Sequence, residues 1–165
     1  ADGIAGPGSG HVIDSILGIA SDRSESPLES WTRCLIVDAG LPQPSAQIPV
    51  LLRDGNTFHL DLGFREFKVG IECHGRRYHA TSDDMTIDEQ RRQQIEAVGW
   101  SVFTVYGSDV LVFTDDMLAE LVWLLRYRGW RPSPDRLARV EKRIRYIAMS
   151  QRLNREDWNA AWGVC

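Results

Sequence analysis

The order of patterns along this chain predicts an α/β domain: a helix, a three-strand meander, a second helix, a fourth strand and further helix. Three observations carry that reading. Thr57–Phe64 and Lys68–His74 each alternate apolar and polar residues with the period of a strand, and only Arg65, Glu66 and Phe67 lie between them. Ser26-Pro27-Leu28-Glu29 has the form of a helix start, with a capping Ser, Pro in the first turn and Glu three residues on. From Asp83 onward, long helical patterns flank one short apolar strand.

Taken in order, Ala1 to Gly10 is Gly-rich, and His11 to Ala20 spaces Val12, Ile16 and Ile19 as a short helix does. Residues 1–25 therefore read as a flexible or partly helical N-terminal segment. The helix that starts at Ser26 is closed by Gly40. Gln47 to Arg53 forms a first strand, which Pro49 restricts to a sheet edge or a bulge, and Asp54-Gly55 turns it into the next. In that second strand Phe58, Leu60, Leu62 and Phe64 are expected to face a core, with His59 and Asp61 opposite. In the third, Val69, Ile71 and Cys73 face inward, with Glu72 and His74 opposite.

Pairing Phe64 with Phe67 sets Asp61 across from Gly70 and His59 across from Glu72. Asp61 and Glu72 then become diagonal neighbours about 7–8 Å apart. Asp83 to Val98 is a polar helix ended by Gly99, Trp100 to Tyr106 a fourth strand, and Met117 to Tyr127 an apolar helix. Pro132 and Pro134 precede a basic helix from Asp135 to Ser150. The expected division is a core over residues 26–131 and a basic C-terminal helical arm over 132–165.

Composition narrows the class. A chain of 165 residues can bury a core without covalent staples. Its three cysteines, Cys34, Cys73 and Cys165, are odd in number and far apart, which fits neither a disulfide framework nor a CxxC-type zinc site and points to a reducing, cytoplasmic setting. No apolar run approaches membrane-spanning length, and Ala1 to Gly10 lacks a basic leader region. The absence of an initiator Met suggests a piece of a longer protein. The net charge of −4 divides unevenly: residues 126–165 hold ten Lys or Arg against four acids, a net +6, leaving −10 for the remainder. An acidic body with a basic arm suits a polyanionic partner, because Arg side chains neutralise phosphates without regard to sequence; an ordinary solvated helix face would show the same count.

The hairpin is where chemistry concentrates. Two carboxylates reaching toward one point can hold a hard divalent cation, and Gly70 opposite Asp61 would leave room for it. A wet hairpin face with a His59–Glu72 cross-strand pair would account for the same residues without a metal. His74 is placed to take a proton, to ligate, or simply to be satisfied at a strand end. Asp88 and Arg92 are spaced as an ion pair on one helix. Trp123, Trp130, Trp158 and Trp162 read first as packing residues and second as base-stacking ones.

Ser26-Pro27-Leu28-Glu29, Ala39-Gly40-Leu41-Pro42, the Asp61 strand, Glu72-Cys73-His74, the segment His74-Gly75-Arg76-Arg77-Tyr78-His79, and Arg91-Arg92 through Val98-Gly99-Trp100 follow one another in an order that resembles the PD-(D/E)XK nuclease superfamily. Within it, the segments are most similar to very-short-patch repair endonucleases and a related bacterial family of unknown function. The resemblance covers residues 26–112. It implies a restriction-endonuclease-like core and a metal-dependent endonuclease acting on DNA, with Mg²⁺, or Mn²⁺ in its place, held by Asp61 and Glu72.

It further implies that Glu29 joins the site, although the capping box claims the same side chain. His79 would transfer a proton or contact the scissile phosphate, and His74 stands where Lys is usual. Candidate DNA-backbone contacts are Arg76, Arg77, Arg91, Arg92, Arg136, Arg139 and Arg143. Two features depart from the mismatch-repair members: their structural zinc ligands are missing, and no wedging element is evident, so G·T recognition is not implied. The alternative is a catalytically inactive nucleic-acid-binding or regulatory module in a phage, defence or toxin–antitoxin context, or a protein-interaction domain.

Overall fold

The computed structural model describes residues 26–74 and 82–162. The expected N-terminal segment and helix, and Arg76, Arg77 and His79, lie outside the described residues. Helix α1 spans Pro27–Asp38; Ser26 is extended and its Oγ accepts the Glu29 N–H at 3.2 Å, as a cap should. Its end is closed by Gly40 at φ +82°, with Gly40 N–H bonded to Val37 O and Leu41 N–H to Ile36 O. That pair of bonds satisfies the last carbonyls, and Leu41 buries its side chain beyond them.

Strands β1 (Ser45–Leu51), β2 (Thr57–Phe64) and β3 (Val69–His74) form the antiparallel meander. Helix α2 (Ser82–Glu96) crosses to β4 (Ser101–Tyr106), which pairs parallel with β3. The strand order β1-β2-β3-β4 makes an open, mixed sheet, so the chain is α/β. Pro49 lies on the edge strand β1, as its missing N–H requires. After β4 come α3 (Gly107–Leu111), a short turn of helix not foreseen, α4 (Thr114–Tyr127) and α5 (Pro134–Trp162). No helix among the described residues is long and apolar enough to cross a membrane.

Both faces of the sheet are covered. Leu62, Phe64, Val69, Ile71, Phe103 and Val105 meet α1, α4 and α5 in the main core. Ile48, Val50, Leu60 and Val102 meet Ile95 of α2 in a second core. Leu60 and Leu62 are both wholly buried, yet they belong to different cores. The expected single face of Phe58, Leu60, Leu62 and Phe64 is therefore corrected: the alternation of β2 breaks at Asp61. On the facing strand, pairing runs Ala46↔Leu62 and Ile48↔Leu60, and Gln47 between them takes φ +49°. A positive φ in a non-glycine residue costs about 1–3 kcal/mol, which burial of two apolar faces instead of one offsets.

The hairpin register also differs. Phe64 pairs with Val69, Gly63 with Gly70 and Leu62 with Ile71, so Asp61 is not opposite Gly70, nor His59 opposite Glu72; His59 pairs with Pro49 instead. A two-residue loop needs positive φ at both central residues, which Arg65-Glu66 does not favour. The four-residue loop Arg65–Lys68 places the positive φ on Lys68 alone and packs Phe67 on the main core, 6.5 Å from Phe64. Nor does Gly70 leave room for an ion. A Cβ there would fall inside contact distance of Leu60, whose side chain fills the space.

Helix α5 carries Val140, Ile144 and Ile147 into the main core, and Ala148 is buried as well. It is further tied by Arg143 to Asp38 at 2.7 Å and by Arg152 to Asp115 at 2.7 Å. The exposed ion pairs contribute only a few tenths of a kcal/mol each, so packing holds the helix. Each buried aliphatic side chain contributes about 1.5–3 kcal/mol, against a typical domain stability of about 5–15 kcal/mol. The basic arm is therefore packed on the main core. Truncation after Arg131 should abolish the cooperative thermal transition, a result that circular dichroism would show. Gly70→Ala should lower stability by about 1–3 kcal/mol in urea titrations, because Leu60 cannot vacate a wholly buried position without strain.

Candidate functional site

Asp61 sits where β2 changes face. The β2–β3 ladder ends at the pair Leu62↔Ile71, and Asp61 meets β3 through its side chain instead. Asp61 Oδ2 accepts the backbone N–H of Cys73 at 2.8 Å, so a carboxylate takes a donor at the end of the described ladder. The Cys73 side chain points the other way from Glu72 and packs on the main core, its Sγ 3.8 Å from Thr32 Oγ1 on α1.

The Cys73 thiol reports its surroundings. Burial pushes it up to about 12; the hydrogen bond with Thr32 partly offsets this, and the charges of Asp61, Glu29 and Glu72 raise it further. Three carboxylates from α1, β2 and β3 thus lie close enough to one sulfur to oppose its ionisation. Glu29 is buried, 4% exposed. Its amide completes the Ser26 cap, and its carboxylate contributes to the field at Cys73.

His74 ends β3 with Nε2 3.6 Å from Glu72 Oε2 and its ring 5.7 Å from that of Tyr106 on β4. The parallel register places His74 beside Tyr106 and Glu72 beside Thr104. The fold therefore brings Glu29, Asp61, Glu72 and His74 to one end of the β2–β3 pair, and leaves His59 exposed on the other side of the break. Among the described residues no three His, Cys, Asp or Glu side chains are arranged to hold a metal ion.

The arginines fare differently from one another. Arg91 stacks over Phe58 with its guanidinium carbon 3.4 Å from the ring centre, and Arg92 pairs with Glu96 at 3.0 Å. Arg136 donates to Gly40 O and lies over Trp130, while Arg143 holds Asp38. Arg139 is exposed. Surface pairs of this kind contribute at most about 1 kcal/mol, so a phosphate can displace them.

Two residues were missed by sequence reasoning. Thr32 is wholly buried against Cys73, and Arg33 has a buried Nε–H with no acceptor. Both lie on α1 at three and four residues from Glu29, and that helical spacing is the signal that would have found them.

No family model matches the chain. Two curated relatives, uncharacterized proteins from two strains of Mycobacterium tuberculosis, are each 28% identical over 95 residues, 58% of this chain. The aligned region spans 35% of the length of each relative. No solved structure matches.

The thiol gives a prediction with a definite sign. Below pH 9 the Cys73 thiol is protonated in both folded and unfolded chains, so its contribution is constant. Between about 9 and 12 only the unfolded chain ionises, and stability falls as pH rises, by up to about 1.4 kcal/mol per pH unit. Denaturant titrations from pH 8 to 11 should show a steeper alkaline loss in the wild type than in Cys73→Ala. The share due to Cys34, also held up by burial, should stay the same in both.

Proposed function

We propose that this chain is a metal-dependent endonuclease that hydrolyses phosphodiester bonds in DNA, built on a restriction-endonuclease-like version of the α/β sheet. The observation that carries the reading is the convergence of Glu29, Asp61 and Glu72 around Cys73, with His74 beside Glu72. Carboxylates in this number suit a hard cation such as Mg²⁺, with Mn²⁺ as a substitute. Mg²⁺ is commonly held by one or two carboxylates, several waters and the substrate phosphate, so a closed set of three protein ligands is not required.

Asp61 and Glu72 are the residues that would hold the ion. A bound divalent cation would lower the pKa of an attacking water and offset charge on the phosphate and leaving oxygen. Asp61 is aimed by the Cys73 N–H on Oδ2. His74, within reach of Glu72, is placed to accept a proton from water as it attacks. Arg136, Arg139 and Arg143 on α5 offer positive charge to the backbone of the duplex.

A non-catalytic nucleic-acid-binding or regulatory module is the second reading. It is favoured by the lack, among the described residues, of a three-ligand metal set.

Cleavage of plasmid and oligonucleotide DNA with Mg²⁺ or Mn²⁺, and with chelator, separates the two. Asp61→Asn keeps an acceptor for Cys73 N–H, and Glu72→Gln is near-isosteric, so both should melt close to wild type. Each should lower metal-dependent cleavage by about two orders of magnitude or more. Wild-type rates in both would sink the nuclease reading, and unmeasurable cleavage with retained DNA binding would favour the second.

A further inference from the structure

Helices α4 and α5 enclose between them an open groove of about 760 Å³, remote in sequence from the carboxylate cluster. Trp123 and Tyr127 lie in it one helical turn apart, their rings 5.5 Å apart and 8° from parallel. They are 64% and 72% exposed, whereas Trp130, at 6%, belongs to the core. The packing role expected of Trp123 is thus not the one it has. Single exposed aromatics are ordinary on protein surfaces. Two with aligned faces, bordered by Arg126, Arg131 and Arg145, form a platform on which planar rings stack. Arg131 is fixed there by Nη1, which donates to the carbonyls of Arg126 at 2.6 Å and Trp130 at 3.3 Å, leaving further donors on the same guanidinium.

We infer that this groove binds single-stranded nucleic acid, with bases on Trp123 and Tyr127 and phosphates on Arg126, Arg131 and Arg145. The occupant is argued from the aromatic pair with three arginines beside it, in a segment, residues 126–165, whose net charge of +6 suits a polyanion. Three acids also line the groove. Asp115 is neutralised by Arg152, while Asp116 and Glu141 exclude phosphate from their side and accept from base amino groups. The inference rests on nucleic acid as the partner proposed above, but not on cleavage.

Fluorescence anisotropy with a labelled oligo(dT) of about twelve nucleotides, in chelator so that no cleavage occurs, tests it. The wild type should bind this probe more tightly than a duplex of the same length. Trp123→Ala and Tyr127→Ala should each weaken oligo(dT) binding by about 5- to 150-fold with unchanged melting temperature, and Trp123→Phe should retain most of the affinity.

Unchanged oligo(dT) affinity in the folded Trp123→Ala/Tyr127→Ala double variant would overturn the inference while leaving DNA as a partner. Binding of neither oligo(dT) nor duplex by the wild type at low salt would overturn both. Binding of a proline-rich peptide, lost in the aromatic variants while oligo(dT) affinity is unchanged in them, would reassign the groove to a protein ligand and overturn it.

Discussion

The break in β2 at Asp61 is the constraint on which the rest of this structure depends. A strand that alternates without interruption can bury one apolar row, and a sheet built from it can face water on the other side. Here Leu60 faces α2 and Leu62 faces α1, α4 and α5, so the sheet must be covered on both sides. The change of face needs an irregular backbone, which Gln47 supplies on the neighbouring strand, and a replacement acceptor for the Cys73 N–H. A buried, unsatisfied amide would cost about 1–3 kcal/mol. Asp61 supplies that acceptor. It is therefore part of the fold before it is part of any chemistry, and a carboxylate is fixed at the one place where the two cores exchange strands.

The acidic cluster follows from the same geometry. α1 is laid across the main-core face of the sheet, which brings buried Glu29 and Thr32 to Cys73. Glu72, on the opposite face of β3, is one residue away along the chain and pairs with His74. The thiol between them is kept neutral by burial and by the carboxylates together. Cys73 thus serves as an uncharged spacer inside an acidic site, and a residue of similar size with its own charge would compete with whatever cation the carboxylates attract.

Much of the architecture was legible because local chemistry and tertiary structure agree. Ser26 and Gly40 bound α1, Pro49 marks the edge strand, and the strand patterns at 57–64, 69–74 and 101–106 are found where the alternation put them. What failed has specific causes. A period of two cannot reveal a change of face, because Leu60 and Leu62 look alike whether they share a core or divide between two. The loop register hinged on Lys68 taking positive φ, for which a Lys gives no signal. Gly70 was read as space for an ion, whereas glycine equally marks the close approach of a neighbouring side chain, here Leu60. Within the site, Asp61 and Glu72 were picked out by strand parity, and for Asp61 that parity does not hold, because β2 changes face there. Arg33 went unnoticed because its place on α1, four residues from Glu29, was not followed along the helix.

The charge asymmetry has to be divided once more in the light of the packing. Of the ten cations in residues 126–165, Arg128 holds the carbonyls of Phe67 and Gly99, Arg136 that of Gly40, and Arg143 and Arg152 pair with acids. These side chains seat α4 and α5 on the sheet. They are still positive, and the field they create extends about 8 Å at physiological ionic strength whatever their short-range partners. The helices that complete the main core therefore also present the basic surface, and the exposed rings of Trp123 and Tyr127 stand in that field. Packing and surface charge are coupled in this chain: the apolar face of α5 cannot be withdrawn from the core without dispersing the charge that its outer faces display.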